Sequence, residues 1–227
     1  MNPTIGIISG SGPEAGIDLW HKVLIASRRR AGPAYSGDLD APRVVVVSEP
    51  LLGLSMDLEA HGPQVWATLE ATARQVAEQS DVYGIACNTL NLYAENLESL
   101  NLDSELISVQ AVAAQYISSE RLPSVGLLGA RDVNTMGPLS AYRGLGEITE
   151  VITPQDPDDL HELVLQIKRS GPATPGLRKR FHHIIKMLDV EPVLLACTEL
   201  PLLEPPDDVE VVDVSALLAD ALVSHPA

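Results

Sequence analysis

Two cysteines occupy matching places in this chain, and their settings suit acid–base chemistry at a carbon centre. Cys87 falls in Tyr83-Gly84-Ile85-Ala86-Cys87-Asn88-Thr89, and Cys197 falls in Val193-Leu194-Leu195-Ala196-Cys197-Thr198-Glu199. Each thiol ends a short apolar run and precedes small polar residues. In open α/β sheets, ligands bind off the carboxyl ends of the strands. The N-terminus of a following helix would favour negative charge and draw a thiol toward thiolate. An ordinary thiol has a pKa of about 8.5, so a modest depression would give a base near neutral pH. One such cysteine alone is commonly a small buried apolar residue. Two at equivalent positions of a repeat can do more: one thiolate removes a proton from one face of a carbon, and the other thiol returns a proton to the opposite face. Single-base or hydrolytic chemistry would not require the duplication.

The elements that must position these thiols are legible as short apolar runs alternating with helical patterns. Strands are expected at residues 4–9, 43–48, 82–86, 105–109, 124–129, 148–152, 192–196 and 209–212, rich in Val and Ile as central parallel strands are. Helices are expected at 13–30, where Pro13 opens the first turn, at 61–80, with Val65, Leu69, Ala73 and Val76 on one face, and at 213–223, capped by Asp213. Such a β-α-β-α text implies an α/β fold with parallel sheets.

An internal repeat sharpens this. Gly6-Ile7-Ile8-Ser9-Gly10 pairs with Gly126-Leu127-Leu128-Gly129-Ala130, the two Ala-Cys segments pair, and Ser108-Val109-Gln110-Ala111 pairs with Asp213-Val214-Ser215-Ala216. The offsets run from 120 (residues 6 and 126) through 110 (87 and 197) to 105 (108 and 213), in the same order. The expected architecture is two similar α/β lobes, each a mostly parallel four-stranded sheet flanked by helices, related by a pseudo-twofold axis. Residues 1–115 with 213–227 form the first lobe, residues 116–212 the second, and the site lies in the cleft between them. The Pro/Gly-rich stretches at 32–42, 171–176 and 201–206 read as loops.

Composition excludes several classes. The chain has 227 residues, 31 acidic against 15 basic, and a net charge of −16, a field that repels nucleic acid and anionic membrane surfaces. With 45% hydrophobic but only 4% aromatic residues, its core must be built of Leu, Val, Ile and Ala. No apolar run reaches the ~18–20 residues of a membrane span. No basic segment precedes Thr4-Ile5-Gly6-Ile7-Ile8, so a secretory signal is not expected and the cytoplasm is the expected location. There the two cysteines would be thiols, and neither has histidines at a zinc-ligand spacing, so no metal is expected.

Cys87-Asn88-Thr89, Cys197-Thr198-Glu199 and the opening Ile5-Gly6-Ile7-Ile8-Ser9-Gly10-Ser11-Gly12-Pro13 together resemble the paired signatures and first loop of the aspartate/glutamate racemase family, in order over essentially the whole chain. The resemblance implies a racemase independent of pyridoxal phosphate and of any other cofactor, usually a homodimer, acting on aspartate or a close relative. Carried over residue by residue, Cys87 and Cys197 would be the acid/base pair. Asn88, Thr89 and Thr198 would hold the α-carboxylate, and Ser9, Gly10, Ser11 and Gly12 would line the same pocket. Thr135 resembles a position that touches the amino-acid backbone, and Lys168 a lysine that helps bind the distal carboxylate. Glu199, beside Cys197, would either tune the thiol or serve as an ordinary first-turn residue. One departure stands out: Ser55 falls near the arginine that many aspartate-specific members place after the second strand, which removes a bidentate clamp on a side-chain carboxylate. Arg131, in the loop after Gly129, is a compensating candidate. Ser9 and Ser11 stand where many members have Gly and Met. Related lyases and isomerases of the superfamily remain alternatives. Arylmalonate decarboxylases typically keep a single cysteine, while maleate isomerases keep both. A non-catalytic two-lobed amino-acid binding protein is a third reading, and it would not need both thiols.

Weaker motifs read otherwise. Gly10-Ser11-Gly12-Pro13-Glu14-Ala15 matches a dinucleotide-binding pattern, but Pro13 removes an N–H and Glu49 lies too far on to be the ribose-binding acid. The loop is read as a carboxylate-binding turn at a helix N-terminus. His182 and His183, like His21 and His61, read as surface or packing residues. Arg28, Arg29 and Arg30 complement the end of the first helix, and Asp156 opens a helix N-cap cluster.

Overall fold

In a computed structural model that describes residues 2–226, the chain builds two four-stranded sheets with all strands parallel. The first holds β1 (Ile5–Ser9), β2 (Val44–Ser48), β3 (Val82–Ile85) and β4 (Glu105–Leu106) in the order β2-β1-β3-β4. The second holds β5 (Ser124–Gly129), β6 (Glu150–Ile152), β7 (Val193–Ala196) and β8 (Val211–Asp213) in the order β6-β5-β7-β8, the same arrangement repeated. Among the described residues, eight α-helices connect and cover them: α1 (Pro13–Ala31), α2 (Leu58–Ala77), α3 (Ala94–Glu98), α4 (Val109–Glu120), α5 (Arg131–Asn134), α6 (Pro157–Ser170), α7 (Leu177–Lys186) and α8 (Val214–Ser224). None is long and apolar enough to cross a membrane.

The two inner strands of each sheet are almost wholly buried, which is why they read as unbroken apolar runs. The edge strands are more exposed, and three of the four are only two or three residues long. Along the inner strands, alternate side chains go to different cores, as the two-residue period of a strand requires. Ile5, Ile7, Val82, Val125, Leu127, Leu194 and Ala196 enter one shared cluster with Leu19 and Val23 of α1, Val112 and Ala113 of α4, and Leu218 and Leu222 of α8. Ile8, Tyr83 and Ile85 point the other way, to Val65, Leu69 and Val76 of α2. Leu128, Val193 and Leu195 point away to Leu163 and Ile167 of α6 and Phe181 of α7. Each fully buried aliphatic side chain of this kind contributes roughly 1.5–3 kcal/mol.

Side-chain caps set several element boundaries. The helix expected at 61–80 begins at Leu58, because the Asp57 carboxylate accepts from Ala60 N (3.1 Å). The strand expected at 105–109 stops at Leu106. Ser108 caps α4 through Ala111 N (3.2 Å), and Asn91 Oδ1 takes Val109 N (3.0 Å), so the backbone turns from ladder to helix there. Asp213 caps α8, accepting from Ser215 N (2.9 Å), and Asp156 caps α6 through Asp158 and Asp159 N, as the sequence predicts.

Candidate active site

Both cysteines sit just past the carboxyl end of an inner strand, with the same strand parity. Cys87 extends the Tyr83–Ile85 face and packs with Ile8, Leu52 and Leu90; Cys197 extends the Val193–Leu195 face and packs with Phe181 and Leu200. They are 7% and 6% exposed, closed off but not sealed. Asn91 anchors the first, donating through Nδ2 to the Cys87 carbonyl (2.9 Å) while its Oδ1 holds the start of α4. Each cysteine leads into a short 3-10 turn, Thr89–Tyr93 or Leu200–Leu203, rather than the α-helix expected from the sequence.

Polar side chains gather beside each thiol, and Gly12 lies where the two groups approach. Ser55, fully buried in the 3-10 segment Pro50–Met56, lies with its Oγ 4.0 Å from Cys87 Sγ and 3.0 Å from Ser11 Oγ. Next to Ser11, Gly12 caps α1 with φ of 91°. A Cβ there would stand 2.2 Å from Glu199 Oε1 and 3.0 Å from Lys168 Nζ. Lys168 Nζ donates to Glu199 Oε1 at 2.5 Å. The other Glu199 oxygen accepts from Cys197 Sγ (3.1 Å) and Thr198 Oγ1 (3.2 Å). The opening loop therefore does meet a carboxylate at a helix N-terminus, but it is the chain's own Glu199. The neighbouring Gly10 has φ of 122°, and the Glu49 backbone would crowd any Cβ there to 2.0 Å.

Asn88 completes the first half of the site. Its Oδ1 accepts a hydrogen bond from Tyr142, whose side chain is fully buried, and its Nδ2 is buried without a partner. Ser9 Oγ is likewise buried and unpartnered, lying against Gly16 of α1. Such groups are uncommon because each costs about 1–3 kcal/mol. Thr89 is buried at the start of its turn. Thr135 is not drawn in: it is exposed at the end of α5, and its hydroxyl donates to the Asp132 carbonyl (3.0 Å). Arg131 is half exposed and paired with Asp158 (2.5 Å), so it does not stand in for an arginine at position 55. His182 bonds the Glu204 carbonyl at the surface. Among the described residues, no three His, Cys, Asp or Glu side chains gather as a metal-holding group. Tyr142 was not legible in the sequence: no motif marks it, and it lies 54 residues from Asn88.

Enclosure governs the electrostatics around Cys197. Burial pushes the Cys197 thiol well above its usual value; the Glu199 carboxylate adds to this, and the Lys168 ammonium opposes it. The expected drift toward thiolate is therefore reversed at Cys197, where desolvation and an adjacent anion outweigh one short turn. Burial pulls the Lys168 ammonium down, but Glu199, Cys87 and Cys197 together hold it above its usual range. Burial, then Cys197, Asp213 and Cys87, raise the Tyr142 phenol well above its ordinary value. Lys168 and Tyr142 thus each feel both thiols.

Two parallel α/β sheets with a cysteine at the same strand end in each define a two-lobed racemase-like scaffold. The sequence matches the Asp/Glu/hydantoin racemase family over residues 8–222, and the chain belongs to that family. Solved structures agree in fold. An aspartate racemase from Picrophilus torridus superposes with a TM-score of 0.80 at 22% identity, covering 97% of this chain and 92% of that one. An aspartate racemase homologue from Pyrococcus horikoshii gives 0.72 at 22% identity, covering 97% of each chain. Glutamate racemase from Aquifex pyrophilus gives 0.60 at 21% identity, covering 96% and 82%. No curated protein sequence matches the chain.

Proposed function

We propose that this chain is a cofactor-independent amino-acid racemase in which Cys87 and Cys197 transfer protons at the α-carbon of aspartate or glutamate. The reading rests on one observation above the others: the two thiols end equivalent inner strands of the two sheets, Cys87 beside Ser55 and Ser11, and Cys197 beside Glu199 and Lys168. The active cleft lies between a first lobe of residues 1–115 with 213–227 and a second of residues 116–212, related by a pseudo-twofold axis. Cys197 rests as the thiol, donating to Glu199. In one direction the Cys87 thiolate takes the α-proton and becomes a thiol, while Cys197 gives its proton to the opposite face and becomes a thiolate. The reverse reaction exchanges the roles. Negative charge building on the α-carboxylate is met by Asn88 Nδ2, Thr89, Thr198 and backbone N–H groups held at the strand ends. The lining of Ser9, Gly10, Ser11 and Gly12 supports a small substrate, with Lys168 toward its distal end.

A specific observation favours a second reading of the substrate. Lys168 is already matched by Glu199, and position 55 carries a buried hydroxyl instead of a cation. A neutral side chain with hydrogen-bonding groups would suit that end better than a second carboxylate. We further read the protein as a cytoplasmic homodimer. Its two free cysteines suit a reducing compartment, and Ile17 and Trp20, one turn apart on α1, leave apolar surface exposed.

The test is exchange of the α-proton in D2O across all proteinogenic amino acids, without added pyridoxal phosphate. Exchange with appearance of the D-enantiomer of aspartate or glutamate is the expected result. Exchange confined to neutral amino acids would establish the second reading, and no exchange with any amino acid would overturn both.

A further inference from the structure

The geometry points to Tyr142 as a positioning residue that locks the Asn88 amide, so that its N–H groups face the substrate's α-carboxylate. The inference builds on the proposed racemisation. An asparagine amide has an accepting end and a donating end. The Tyr142 hydroxyl donates to Asn88 Oδ1, which leaves Nδ2 as the free end of a side chain that is only 3% exposed. A buried N–H pair without an acceptor is costly unless a ligand supplies one, and Asn88 adjoins Cys87, where a reacting carbon would lie.

The phenol is itself held firmly. Ser140, fully buried, donates to the Val133 carbonyl (3.0 Å), and its Oγ accepts from Tyr142 N (3.2 Å). The tyrosine thus belongs to the second half of the chain and its acceptor to the first, so the amide turns correctly only when the halves are in register. The phenol also stays protonated through the working pH range, since burial and the neighbouring thiols raise it well above its usual value. A hydroxyl that cannot ionise remains a donor, and a donor at Oδ1 fixes which end of the amide is free.

A purely structural tyrosine is the competing account, since the ring belongs to the shared apolar cluster. Tyr142→Phe separates the two because it keeps the ring and removes only the hydroxyl. Racemisation kinetics would be measured in both directions, alongside unfolding temperature and amino-acid affinity by thermal shift. The expected result is unfolding within a few degrees of wild type, with kcat/KM lower by about tenfold, carried by KM. In an Asn88→Ala background, Tyr142→Phe should add no further loss, because the amide it orients is gone. Unchanged kcat/KM, losses that multiply, or a Phe variant that fails to fold would each overturn the proposal while leaving the racemase reading intact. If the wild type binds amino acids without exchanging their α-protons, the racemase reading fails, but weaker binding by Tyr142→Phe would still uphold the role of the phenol. If it neither exchanges nor binds them, both fall.

Discussion

Cys87 and Cys197 occupy equivalent ends of β3 and β7, yet they face different neighbours. Cys87 looks toward the Ser55 hydroxyl at 4.0 Å, and Cys197 donates to the Glu199 carboxylate at 3.1 Å. The backbone has kept the repeat, while the side chains around each sulfur have diverged. The repeat fixes where two groups stand; the residues packed around Cys197 decide how tightly it holds its proton. Racemisation has an equilibrium constant of unity, so kcat/KM must be equal in both directions. Under the proposed mechanism, the asymmetry can therefore show only in kcat and KM separately, and in the pH dependence of each.

The largest test of this comparison is removal of each sulfur. Cys87→Ser and Cys197→Ser should each lower racemisation by about 10²–10⁴-fold or more, measured by polarimetry or chiral chromatography. A serine at either site that leaves the rate within about tenfold of wild type would break the pairing. Next comes Gly12→Ala. It forces a side chain into a φ of 91° and against the Lys168–Glu199 pair, and it should cost about 1–3 kcal/mol in chemical denaturation along with activity. A fully stable variant would show that the pair does not press on this loop.

Smaller effects bear on the difference between the sulfurs. Glu199→Gln should lower the pH at which Cys197 titrates, and Lys168→Met should raise it further. Alkylation rate against pH in a Cys87→Ser background reads the thiol directly, and shifts of the same sign would refute the assignment. Cys197, Lys168 and Tyr142 all hold their protons more tightly in the folded chain than when unfolded. The stability they confer is present below the unfolded-state values and is lost as pH rises toward the folded-state ones. Unfolding free energy should therefore decline above about pH 8.5–9, starting with the thiol, and decline less in Cys197→Ser. A flat alkaline profile would contradict this. The smallest effects compare the two helix caps of the repeat. Ser108→Ala and Asp213→Ala should each cost about 1 kcal/mol. Asp213→Ala should cost somewhat more, since that carboxylate also meets Lys22 Nζ at 2.6 Å; equal losses by denaturant titration would discount the ion pair.

Much of the fold was legible because inner parallel strands and capped helices leave local signals. Val193–Ala196 is uniformly apolar because both its faces are buried, and Asp213 and Asp156 announce helices by chemistry that acts within three residues. The cysteines, and the residues directly beside them, stood out through the repeat. What escaped was contact between distant segments. Nothing near Tyr142 says that it will meet Asn88. Nothing in the order of residues says that Lys168 and Glu199 will close over Gly12, and so turn a loop suited to a ligand's carboxylate toward an internal one. The direction of the Cys197 shift escaped for the same reason, since a nearby helix end is visible in sequence and the degree of enclosure is not.

The last helix has a consequence for how the chain is made. Helix α8 packs between α1 and α4, filling the shared cluster with Leu218 and Leu222. Until residues 214–224 leave the ribosome, the earlier-made half carries a bare oily furrow along those two helices. A nascent chain stalled short of that point would be a target for holding chaperones, however complete its first sheet is.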